Sequence, residues 1–144
     1  MPVSDEKMKA YQKVIIDHFR TPANFRVIDN PDVQALKSNR LCGDKVCLQV
    51  VVSQGNILTD VAFSEESCSV CKASASMLTQ LLKGLPKTEA LDVLDALDQF
   101  ASDWQVNADL GAFEAFIAIK DFKTRHRCLC LSWQAAREAI EQLI

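Results

Sequence analysis

Met8, Tyr11, Ile15 and Phe19 recur at the spacing of one helical face. Ser4-Asp5-Glu6 supplies a capping hydroxyl and first-turn acids ahead of them, so a helix is predicted to start here. Thr21-Pro22 ends it, because a residue preceding proline avoids the α region. An irregular stretch runs through Asn30-Pro31, followed by a short strand near Val33 to Lys37. Lys45 to Ser53 then alternates, with Val46, Leu48, Val50 and Val52 on one face, as in a half-buried strand. Gln54-Gly55-Asn56 is a turn, and Ile57 to Phe63 pairs back as a hairpin. After Ser67 the period lengthens. Val70, Ala73, Met77, Leu78 and Leu81 mark a helix that stops at Gly84, and Pro86 opens another through Leu91, Leu94, Leu97 and Ala101. A polar loop from Asp103 to Gly111 leads to a short helix, Ala112 to Ile119. A last amphipathic helix runs from Cys128 to Leu143 through Leu131, Ala135 and Ala139. Strands come early and helices late. The predicted class is α+β: a small antiparallel three-stranded sheet with helices packed on one face.

The 144 residues suit one domain, taken as 1–144. With 49% hydrophobic and 24% charged residues, disorder and repeat architectures are not expected. The net charge of −3 weighs against a nucleic-acid binder, which carries a basic stripe. No basic region followed by an apolar stretch opens the chain, and no run approaches the ~18 apolar residues of a membrane span. A cytoplasmic protein without membrane or nucleic-acid partners is the expectation.

That setting changes what six cysteines mean. In a secreted chain they would read as three disulfides, whereas under reducing conditions clustered thiols point to metal binding or catalysis. The paired CxxC pattern of zinc fingers is absent, since Cys68 and Cys71 form one CxxC but Cys128 and Cys130 are two apart. Three cysteines have helpers. Cys42-Gly43-Asp44 precedes the first clear strand, and Gly43 permits a turn that places thiol and carboxylate together, although a plain turn with a buried Cys reads equally well. Cys68 falls between strand and helix, where free N–H groups favour a thiolate. The small run Ala73-Ser74-Ala75-Ser76 lets another element approach that helix closely. Cys128 opens the last helix behind Arg125-His126-Arg127, a cationic setting that also favours a thiolate. His126 can act as a ligand or proton carrier, but an exposed basic loop is the plainer reading. Cys47 and Cys130 are expected to be buried as small hydrophobes, Cys71 to be a spare thiol near the pocket, and His18 to be a core-edge histidine.

Taken in order, these segments resemble the U-type iron–sulfur cluster assembly scaffolds, which include the IscU, SufU and NifU N-terminal proteins. The stretch from Tyr11 through Asp17-His18-Phe19-Arg20-Thr21-Pro22-Ala23-Asn24 resembles their opening helix. Cys42-Gly43-Asp44 matches their CGD loop, Cys68 with Ala73-Ser74-Ala75-Ser76-Met77 their second motif, and Cys128 with Leu131 and Trp133 their third. Arg127, where the IscU branch has His, and the 60 positions from Cys68 to Cys128 look like the SufU branch. Ser67 in place of the usual Gly, Arg40-Leu41 where a Pro often precedes the Cys, and the additional thiols Cys71 and Cys130 are departures.

The resemblance implies a SufE/NifU-like fold in which Cys42, Asp44, Cys68 and Cys128 converge on Zn²⁺ or on iron and a transient [2Fe–2S] cluster. It implies a scaffold or carrier rather than an enzyme. Such a carrier receives sulfur from a SufS/IscS-like cysteine desulfurase and passes a cluster to apo iron–sulfur acceptor proteins. The alternative is a zinc-dependent sulfurtransferase that activates a SufS-type desulfurase. Cys42 is the expected sulfur acceptor in either case.

Overall fold

Apolar alternation along a strand demands a partner layer for one face only, and the computed structural model, which describes residues 3–40 and 43–144, supplies it with helices. Strands β1 (Val33–Asn39), β2 (Asp44–Ser53) and β3 (Ile57–Glu66) form an antiparallel sheet in the order β1-β2-β3. Leu48 stands opposite Ala35 on one side and Phe63 on the other. Val46, Leu48, Val50, Val61 and Phe63 are fully buried on the inner face. Val52, expected to continue that face, is only half-buried because the register slips between Val51 and Val52.

Helices α2 (Ser69–Leu82) and α4 (His126–Glu141) cover the inner face. Helix α1 (Asp5–Arg20) lies against α2, and α3 (Lys87–Asp103) against α4. Ser4 caps α1 as the sequence predicts, its hydroxyl accepting the Lys7 N–H at 3.2 Å. Tyr11 and Ile15 carry the burial of that helix, while Phe19 is 40% exposed. In α3 the buried stripe is Ala90, Leu94, Leu97 and Phe100, with Leu91 and Ala101 at its margin. The segment predicted as a short helix is a 3₁₀ turn-run, Gly111–Ile119, whose Phe113 meets Trp133 of α4 edge-on at 5.5 Å.

Small residues decide how closely α2 is packed. Ala73, Ser74, Ala75 and Ser76 are all fully buried, and Ser74 donates to the Leu129 carbonyl of α4 at 2.7 Å. On the other side Ser76 accepts the Ala23 N–H at 2.8 Å and lies 2.7 Å from His18 Nδ1. His18 is therefore half-buried at the core edge, where burial lowers its pKa. Asn24 donates to Thr79 at 3.0 Å, and residues 24–26 then run along β3, pairing with Phe63 through two backbone hydrogen bonds of 3.0 Å. Helix α3 ends at Trp104 in the left-handed region, φ 58°. The indole is held against Phe100 at 5.4 Å and His126 at 4.9 Å. Among the described residues, no helix is long and apolar enough to cross a membrane.

Candidate functional site

Three element starts meet at one end of the sheet. Asp44 is the first residue of β2, placed there by Gly43, whose φ of +71° and N–H bond to Asn39 O (2.8 Å) turn the chain into the strand. Cys68 is the N-cap of α2, with extended backbone (φ −77°, ψ 170°) and no side-chain capping bond. Cys128 lies in the first turn of α4, which begins two residues earlier than predicted, at His126.

One oxygen and two sulfurs from these residues lie within 4.8 Å of one another. Asp44 organises the group. Its Oδ1 accepts the Cys68 N–H at 3.2 Å, and its Oδ2 accepts the Cys128 thiol at 3.1 Å. The carboxylate is only 4% exposed, so these bonds offset its desolvation. Cys42 lies outside the described residues.

The predicted ease of ionising Cys128 is corrected. Its side chain is completely buried, and that burial, with Asp44 and Cys68 beside it, pushes its pKa well above the ordinary thiol value. The basic run ahead of it does supply one cation: the Arg125 guanidinium faces the Cys68 and Cys128 sulfurs, and their proximity raises its own pKa. His126 is directed elsewhere, with Nε2 2.9 Å from Lys120 O. Cys47 and Cys130, expected to be buried, are both half-buried. Burial raises the Cys47 pKa, and burial together with Asp98 raises that of Cys130 to about 11. Cys71 is fully buried one turn beyond Cys68, and burial above all pushes its pKa to about 12.

Behind Cys68 lies a pair that the sequence reading passed over. The Glu65 side chain is 5% exposed, 3.4 Å from Lys72 Nζ, and accepts the Ser67 hydroxyl. Ser67 also lies beside Cys71. A signal for Glu65 existed: it continues the inward parity of Val61 and Phe63, and stands opposite Val46.

The donor set fits a cation. A tetrahedral ion with metal–sulfur bonds near ~2.3 Å holds its ligand atoms roughly 3.8 Å apart, and this group needs little contraction to reach that. The Arg125 guanidinium, which faces the two sulfurs, supplies a positive charge beside the group.

The sequence model of the NifU-like N terminal domain matches residues 10–129. The chain belongs to this family. It is 33% identical over 132 residues to the zinc-dependent sulfurtransferase SufU of Bacillus subtilis, covering 90% of this chain and 88% of that one. It is 31% identical over 134 residues to the iron–sulfur cluster assembly scaffold protein IscU of Streptococcus pyogenes, covering 92% and 83%. Its fold matches the solved N-terminal part of a nitrogen-fixing NifU-like protein from Brucella abortus with a TM-score of 0.82, at 23% identity over 92% of this chain and 93% of that one. The NifU-like fold predicted from the motifs is therefore the fold observed, and a carboxylate and two thiols lie together in it.

Proposed function

We propose that this NifU-like chain serves iron–sulfur cluster assembly by accepting sulfur from a cysteine desulfurase, at a site made of Cys42, Asp44, Cys68 and Cys128. The observation that carries this reading is the convergence of Asp44, Cys68 and Cys128 at the starts of three separate elements. Cys42 is the acceptor: it is two residues from Asp44, and its sulfur attacks the outer sulfur of the desulfurase persulfide, displacing the desulfurase thiolate. Asp44 orients the site by holding the Cys68 N–H and the Cys128 thiol. The Arg125 cation stabilises negative charge on the sulfurs. Iron is then the cargo: the sulfane sulfur is reduced to sulfide by an external thiol, which is oxidised to its disulfide, and the sulfide is assembled with iron into a [2Fe–2S] cluster and passed to apo-acceptor proteins. Asp44 makes this a temporary hold, because a carboxylate is a harder and weaker iron ligand than thiolate.

A second reading, zinc-dependent sulfur transfer, is favoured by the compactness of the group, which suits one ion. The name of the Bacillus relative agrees. Bound zinc would hold the ligand-bearing segments together and mask the thiolates until the desulfurase arrives.

An anaerobic assay separates the two. Metal content is measured first, and then desulfurase, cysteine and iron are supplied. Absorbance of a cluster that moves to apo-ferredoxin supports the carrier. One retained equivalent of zinc with raised desulfurase turnover supports the transferase. Cys42→Ala is expected to lower either activity at least ~100-fold, and a variant with full activity removes Cys42 from the reaction.

A further inference from the structure

Cys71 is a thiol for which the proposed ligand set has no use, yet its placement is specific. Cys68 is the N-cap of α2 and Cys71 its third residue. Side chains at these two positions lie on the same side of the first turn, which is why in a capping box each reaches the other residue's backbone N–H. Positions so related lie roughly 5–6 Å apart at Cα, the span of a disulfide. The Cys68 sulfur is not engaged in capping, and its residue is half-exposed, whereas Cys71 is fully buried behind it. An outer sulfur open to a donor and an inner one shielded from it are suited to different roles: one receives, the other resolves. A hydroxyl and a carboxylate also stand beside the inner thiol, since Ser67 neighbours Cys71 and donates to the buried Glu65 carboxylate.

We infer that Cys68 and Cys71 form a dithiol–disulfide couple that expels a sulfane sulfur from Cys68 as hydrosulfide. The inference extends the proposed function, because it requires sulfur to be delivered to this pocket. A persulfide donor first transfers its outer sulfur to the Cys68 thiolate and leaves as a thiolate. The Cys71 sulfur then attacks Cys68 Sγ. The bond between the two cysteine sulfurs forms, the bond from Cys68 Sγ to the sulfane sulfur breaks, and its electron pair leaves with HS⁻. The Cys71 proton passes through the Ser67 hydroxyl to Glu65. The sulfane sulfur is reduced by two electrons and the two thiols are oxidised, so this step needs no outside reductant. An external dithiol returns the couple to its starting state. Arg125, which faces Cys68, stabilises the departing anion.

The test uses the full chain after chelation, without oxygen, with glutathione persulfide as the donor. The wild type is expected to release about one hydrosulfide per chain, and its peptide carrying Cys68 and Cys71 to lose about 2 Da, with mapping joining Cys68 to Cys71. Cys71→Ser and Cys71→Ala are expected to retain about 32 Da on Cys68 and to release hydrosulfide at least ~10-fold more slowly. Ser67→Ala should load sulfur normally and release it slowly, and Cys130→Ser should behave as the wild type. Wild-type release rates in both Cys71 variants would overturn the inference. So would a disulfide from Cys68 to Cys42 or Cys128, or a failure of Cys68 to take sulfur. Because the donor is a small molecule, failure here is distinct from failure of the desulfurase assay on Cys42.

Discussion

The Cys71 and Cys130 thiols hold their protons to about pH 12 and about pH 11, because burial disfavours the thiolate at both positions. Both pKa values are raised above the ordinary value near 9, so the stabilisation from keeping these thiols neutral is complete below pH 9 and is lost as pH rises toward 12. The metal-free protein should therefore show a urea midpoint that falls between pH 8 and pH 11. Cys71→Ala should reduce that fall by an amount on the order of 2 kcal/mol. Equal slopes for the two proteins would contradict the account. At this scale the sequence was informative where chemistry is local. The cap position of Cys68 and the Gly43 turn before Asp44 can be read from neighbours a few residues away. The raised Cys128 pKa could not be read this way. It arises from burial, with Asp44 and Cys68 beside it, and burial there outweighs the cations that precede it.

Elements were the most legible level, because burial on one face leaves a periodic trace. The β2–β3 hairpin and helices α1, α2, α3 and α4 follow from alternation, helical spacing and caps. Contacts between elements leave no such trace. Ser76 illustrates this: the sequence shows only a small residue, whereas the structure gives it the task of fastening the turn after α1 to α2. Ser76→Ala leaves the Ala23 N–H and the His18 ring without their partner. It should cost about 1–3 kcal/mol by urea titration, with faster amide exchange at residues 21–26. Unchanged exchange at those residues would show that the fastening lies elsewhere. The 3₁₀ geometry of Gly111–Ile119 was also hidden, since its apolar residues do not differ in type from those of an α-helix.

On the scale of the whole molecule, the proposed ligands belong to segments far apart in sequence, so metal binding and global stability are linked. Metal held at 100 times its dissociation constant adds about 2.7 kcal/mol. Chelation should then lower the Tm by roughly 5–10 °C, and added zinc or iron(II) should restore it. A Tm indifferent to chelation in a metal-loaded sample would separate the site from the fold. One contact offers a way to watch this end of the protein. The indole of Trp104 rests on the imidazole of His126, the residue that begins α4 and stands two positions before Cys128. Any rearrangement that tilts this first turn also moves the ring packed against it. The emission of a single tryptophan, separated from that of Trp133 by a Trp133→Phe background, thus becomes a built-in optical gauge of what the sulfur pocket is holding.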